Sequence, residues 1–259
     1  DEQFRTLVYG VFEAEPGLPV LASTRVTFSW QNQHERRTLN RPSSYVRNTG
    51  RDDVNTIGVT AWGRSEIAEV APWLELQLSF GADTYHDNVS SLAWISFTDI
   101  EYTEELSRGQ YVDGSKYTYG GGFLEGEAHI SKFLTWRAGG RFSWIIASAP
   151  AVPEAGSLAV DKQWAPLVGN TGLEVKAIDW LGILFNLDRS FRAPNLDDMT
   201  SRQQTGPGFQ FENPDLNPEI ANTVEIGTRI KSLDPLMLEL WAFKMFLHGA
   251  VVKRSMEAD

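Results

Sequence analysis

The chain has 259 residues, a net charge of −11, a pI near 4.9 and no cysteine. Without cysteine there are no disulfides, thiolate metal sites or cysteine nucleophiles, and the acid excess argues against a nucleic-acid partner. No apolar run approaches the ~18 residues of a membrane helix, and "WLGILF" (Trp180–Phe185) is among the densest patches, so a transmembrane helix is excluded. A membrane β-barrel is not excluded, because its strands alternate and never build a long apolar run. The length suits one large β domain or two smaller ones, and a chain opening at Asp1 without a targeting segment is expected to be a mature product or an excised piece.

Period-two alternation predicts about ten strands: 4–15, 22–35, 52–66, 73–88, 117–130, 134–147, 162–177, 180–192, 219–231 and 236–250. In the fourth, Leu74, Leu76, Leu78, Phe80 and Ala82 oppose Glu75, Gln77, Ser79, Gly81 and Asp83. In the sixth, Leu134, Trp136, Ala138, Gly140, Phe142 and Trp144 oppose Thr135, Arg137, Gly139, Arg141 and Ser143. In the eighth, Leu181, Ile183, Phe185 and Leu187 share one side, and Asn186, Asp188 and Ser190 end the other. A tight turn at Ser131–Phe133 sets the register that brings Glu127 opposite Arg137 on the polar face.

The connections alternate in length. Short ones read "PGLPV", "AEVAP", "SKF", "ID" and "SLDP"; long ones cover Arg36–Arg51, Val89–Lys116, Ser148–Asp161 and Ala193–Pro218. Turns on one rim and long loops on the other are the organisation of outer-membrane barrels. Trp73 and Trp180 open strands just after short turns, and Trp136 and Trp144 lie about 27 Å apart along one strand, roughly 20 Å of height once tilted. A soluble β core could also pack such tryptophans, but it has no reason to sort its loops by rim.

Enzyme signatures are missing: no G-x-S-x-G, H-E-x-x-H or P-loop string occurs. "GGGFLEG" (Gly120–Gly126) sits inside an alternating strand with no helix after it, where glycine eases curvature or close backbone approach. His34, His86, His129 and His248 show no ligand-like spacing, and Asp52-Asp53 and Asp197-Asp198 lack the spacing of a calcium loop. These read as surface, lumen or solvated loop groups, and no cofactor is expected.

Two proline-anchored phrases carry more information. Pro194 should end the strand that reaches Arg192, with Asn195 as a helix N-cap and Asp197 and Asp198 in the first turn, where the helix dipole favours carboxylates. Asn213-Pro214 and Asn217-Pro218 re-aim the chain into the next strand. "SFRAPNLDDM" followed by "NPDLNPEIANTVEIGTRIK" resembles the C-terminal barrel region of TonB-dependent outer-membrane receptors. The matching positions are Phe191, Arg192, Ala193 and Pro194, then Asn213, Pro214, Asp215, Leu216, Pro218 and Glu219, then Glu225, Ile226 and Gly227. "LMLELWAFKMFLHGAVVKR" is similar to the strand that follows in that family, with Lys244 in place of its customary tyrosine.

The resemblance implies an all-β, antiparallel up-and-down transmembrane barrel in a bacterial outer membrane, of which about ten strands are written here. Neither a plug domain, a TonB box nor a terminal aromatic strand is recognisable, so residues 1–259 are expected to be an internal piece of a larger barrel. The implied activity is energy-coupled import of a bulky, scarce nutrient such as a ferric siderophore, cobalamin or a glycan, with no covalent catalysis. The implied partners are the TonB complex through the plug, the small-molecule or chelate substrate, and outer-membrane lipid. Ligand contact is expected in the outer loops, at Arg192, Gln203, Gln204, Phe209 and Phe211 and, in the second long loop, at Tyr102 and Tyr111. Haem receptors of this family carry a ligating histidine between the two boxes, whereas Asn195–Glu212 here contains none, which points to an organic or already chelated substrate. A porin or adhesin barrel would share the strand pattern without needing both boxes. A soluble β-sandwich would instead require polar outward faces.

Overall fold

A computed structural model of the chain describes residues 1–40, 43–205, 208–233 and 236–252. Its strands, in chain order, are β1 (Glu2–Ala14), β2 (Ser23–Asn40), β3 (Val46–Arg64), β4 (Ala68–Ala71), β5 (Leu74–Phe97), β6 (Tyr102–Glu105), β7 (Lys116–Ile130), β8 (Leu134–Ala149), β9 (Val160–Trp164), β10 (Leu167–Ile178), β11 (Leu181–Arg192), β12 (Gln203–Thr205), β13 (Gly208–Gln210), β14 (Glu219–Leu233) and β15 (Leu236–His248). Ten of them follow one path, β1-β2-β3-β5-β7-β8-β10-β11-β14-β15. The short strands β4 and β6 pair with β5, β9 pairs with β8, and β12 and β13 form a hairpin of their own. Every pairing is antiparallel, and each long strand lies beside the next one in the chain. The meander predicted from alternation is the observed architecture.

Register follows the short turns. Glu127 pairs with Arg137 as expected, and the Arg137 Nε donates to Glu127 Oε2 at 2.6 Å. Arg141 joins the same face and donates two hydrogen bonds to Asp83, at 2.7 and 2.9 Å. Arg229 bridges Glu174 and Glu239 there at 2.7 and 2.5 Å. Ion pairs drawn from six strands, β5, β7, β8, β10, β14 and β15, thus collect on one face, which the barrel reading assigns to the lumen. On the opposite face Leu124 and Phe142 remain 56% and 50% exposed, with Phe28, Ile57 and Ile226 similarly open. That is apolar surface suited to lipid and unsuited to the polar outer face of a sandwich.

Three expectations are corrected. Residues 36–51 are largely a strand hairpin, because β2 runs to Asn40 and β3 begins at Val46. Likewise β5 continues through Val89 to Phe97 and β6 returns beside it, so Tyr102 sits on a strand. Alternation fades there because the ends of β2 and β3 are mostly polar on both faces, while Leu92, Trp94, Ile95 and Phe97 fall on both faces of β5, so no period-two signal remains. Finally, the strand expected at 162–177 is interrupted at Pro166, which cannot donate to the ladder. Its two halves, β9 and β10, keep the same register against β8.

Candidate functional site

The residues after β11 fold as their sequence suggests. Pro194 ends the strand, and Asn195 caps a short helix, α1 (Leu196–Thr200). The Asn195 side chain accepts from the Asp198 amide at 2.8 Å, while the Asp198 carboxylate accepts from the Asn195 amide at 3.0 Å. The apolar side of this helix turns inward. Met199 is fully buried with Val112, Ala147, Ala149 and Val160, and Tyr117 and Leu216 pack against the same cluster. Ala147 and Ala149 share the face of Arg137 and Arg141, so the helix and the 106–115 segment lie over the inner wall at the loop-bearing rim.

At the centre of this cap is Arg108, 8% exposed. Its guanidinium donates to the Ser157 hydroxyl at 2.5 Å, to the Gln110 carbonyl at 2.9 Å and to the Thr200 carbonyl, and it ion-pairs with Glu212 at 3.5 Å. Glu212 also accepts from Arg202, whose guanidinium donates onward to the Ala155 carbonyl. One buried cation therefore ties three connections: β6 to β7, β8 to β9, and β11 to β14. Burial pushes the Arg108 pKa down against the opposing pull of Glu212. Burial would raise the Glu212 carboxyl, but hydrogen bonds led by the one from Arg202 outweigh it and hold the group below its usual range.

The expected ligand contacts separate into three groups. Arg192 pairs with Asp198 at 2.6 Å and Glu219 at 3.5 Å, and so joins the end of β11 to the helix and to the start of β14. The two proline phrases are thereby stapled to each other. Phe211 is 54% exposed, with the Arg202 guanidinium 5.7 Å from its ring centroid. Tyr111 lies in the cap, its amide bonded to the Ser91 hydroxyl at 3.1 Å and its own hydroxyl accepting from Gln110 at 3.2 Å. Burial, then the charges of Asp197 and Asp52, push its phenol pKa up. Tyr102 stacks on Phe97, its partner within the β5–β6 hairpin, 6.3 Å between centroids. The side chains of Gln203, Gln204 and Phe209 lie outside the described residues. Sequence reasoning missed Arg108, Gln110, Ser157 and Glu212, whose partners lie up to 104 residues apart with no local pattern to join them.

Comparisons with known proteins agree with this architecture. Residues 5–245 match the family described as TonB dependent receptor-like, beta-barrel. No curated protein matches the sequence. Among solved structures, the hemophore receptor HasR of Serratia marcescens, in complex with its hemophore HasA and heme, superposes with a TM-score of 0.71 at 14% identity. The copper transporter OprC gives 0.75 at 13%, and the unliganded ferric citrate transporter FecA 0.69 at 13%. Each alignment covers 94% of this chain but only 40%, 38% and 34% of those proteins, so the chain spans well under half of their length. At such identities the likeness shows the fold alone. The family match spans nearly the whole meander, and the chain belongs to the TonB-dependent receptor β-barrel family.

Proposed function

We propose that the chain is barrel wall and outer-loop cap of a bacterial outer-membrane receptor that imports a bulky, scarce nutrient with energy delivered through TonB. A ferric siderophore is the favoured cargo, with cobalamin or a glycan as the other members of the class. The reading rests on the family match over residues 5–245. It is supported by the loop cap held over the inner wall by Arg108. The exposed Phe211, beside the Arg202 guanidinium that Glu212 holds in place, supplies a ring at that cap that can stack on an organic chelate. Solved relatives named for ferric citrate and for a siderophore fit this cargo; one named for a hemophore complex with heme and one for copper keep the substrate open. Partners on this reading are TonB through a plug, the chelate, and outer-membrane lipid. The chemistry is binding and passage, with no bond made or broken.

Free haem is disfavoured as cargo. Residues 195–212 hold no histidine, and their methionine, Met199, is fully buried beneath the helix. Titration of the full-length receptor with haem should give no tight Soret shift that depends on residues 195–212, and such a shift would overturn this exclusion. Uptake of iron(III) chelates by cells, with and without TonB, tests the wider reading. Uptake indifferent to TonB removal would reject it.

A further inference from the structure

Directly beneath the cap, the inner face of β5 and β7 carries three tyrosines beside a carboxylate. Tyr85 pairs directly with Tyr119, and their rings stack with 5.0 Å between centroids and 15° between planes. Tyr117 lies 6.0 Å from Tyr119 with its ring tilted by 53°. Its hydroxyl donates to the Pro194 carbonyl at 3.2 Å, which fixes this ring to the cap above. The row is made possible by Gly58 across the sheet, where an added Cβ would collide with the Tyr85 ring. Tyr119 is the most open of the three rings, 36% exposed, and the Tyr117 ring lies at a second orientation beside it.

Asp87 is paired with Tyr117 in the ladder and accepts a hydrogen bond from the Thr56 hydroxyl at 2.7 Å. Among the described residues it has no ion-pair partner. Arg141, on the same face, is taken by both oxygens of Asp83, and Arg192 is taken by Asp198 and Glu219. A carboxylate with no cation of its own, set beside tyrosine rings, is the chemistry that selects an organic cation: the ring quadrupoles attract positive charge and the carboxylate supplies the rest. A metal ion is a poor fit, since no group of three or more His, Cys, Asp or Glu side chains among the described residues could hold one.

We propose that Tyr85, Tyr117, Tyr119 and Asp87 form a binding site for an organic ammonium group on the lumen wall, one step below the loop cap. The occupant class is a small molecule carrying an alkylated or primary ammonium. The site does not depend on which nutrient the receptor imports.

The test titrates choline and its neutral isostere, 3,3-dimethylbutan-1-ol, into the full-length receptor in detergent, read by saturation-transfer NMR on the methyl protons. Choline should bind at least about tenfold more tightly than the isostere. Asp87→Asn and Tyr119→Leu should each weaken choline by about tenfold or more, while Tyr119→Phe, which keeps the ring, should retain it. No transfer to choline in the wild-type receptor, an equal response from the isostere, or unchanged binding in Asp87→Asn would each overturn the proposal. The wild-type ratio of the two probes decides it even where a variant fails to assemble. TonB-dependent uptake measured in the same receptor reports separately on the import reading.

Discussion

Arg108 is the residue on which the outer cap depends most. Its side chain is 6% exposed, so the carbonyls it serves have little water to replace it, while Glu212, 10% exposed, also holds Arg202. Arg108→Leu should destabilise the cap by about 1–3 kcal/mol, the cost of leaving buried acceptors unpaired, because the Gln110 and Thr200 carbonyls lose their shared donor while Glu212 keeps Arg202. The measurement is proteolysis of intact cells or of purified receptor, where new cleavage should concentrate within 106–115, 150–159 and 193–218 while the strands stay resistant. Glu212 adds a pH dependence whose sign is fixed by its lowered pKa. Such a group contributes fully above the unfolded carboxyl value, about 4.3, and its contribution fades as pH falls through the lower folded value. Loop protection should therefore be flat from neutral pH to about 5 and decline below about 4, and Glu212→Gln should flatten that acid limb. None of this was legible beforehand. Asn195, Asp197 and Asp198 could be placed because capping is local, and Arg192 could be singled out as part of a phrase. Arg108 has no neighbours in sequence that announce its partners, and only the folded loops bring Ser157 and Glu212 to it.

Strands were the most readable elements. Alternation finds a strand wherever one face meets lipid and the other water, and it located all ten long strands. It weakened at the far ends of β2, β3 and β5, where Thr38, Asn40 and Asn48 put polar groups on both faces and Trp94, Ile95 and Phe97 put apolar groups on both. Glycines mark where the sheet allows close approach. A Cβ on Gly120 would sit 2.5 Å from the Asp83 carbonyl oxygen and 2.6 Å from the Trp144 ring. The nearest atom to a Cβ on Gly140 is 3.7 Å away. Both lie in the same alternating region, so sequence alone ranks them equally. Gly120→Ala in the full-length receptor should cost about 1–3 kcal/mol by overpacking, and Gly140→Ala close to nothing. Denaturant midpoints of the two variants check the contrast, and equal midpoints would show that the sheet relaxes around Gly120.

At the scale of the whole molecule the sheet is open. Among the described residues β1 pairs only with β2 and β15 only with β14, so two strands of thirteen residues each carry one unpaired edge. In lipid each unsatisfied backbone group costs several kcal/mol, which is why membrane sheets close on themselves. The edge strands also carry apolar runs on the inner face, between Arg5 and Glu13 in β1 and beyond Glu239 in β15. On the inner side β1 presents Leu7, Tyr9 and Val11, and β15 presents Trp241, Phe243, Met245 and Leu247, all substantially exposed. Such edges combine free hydrogen-bonding groups with apolar side chains on both faces, the condition for pairing with any available strand. The ten strands of the path are also fewer than the 22 of the plugged outer-membrane transporters, so closing them would demand a narrower and more steeply curved wall than their pairings describe. Residues 1–259 expressed alone should therefore aggregate or fail to insert, and should pair with further strands when supplied within a longer chain. Electrophoretic mobility with and without heating is the check, because a closed barrel migrates faster before it is boiled. A heat-modifiable, protease-resistant band from residues 1–259 alone would mean that β1 and β15 find each other, and that this stretch is a barrel in its own right.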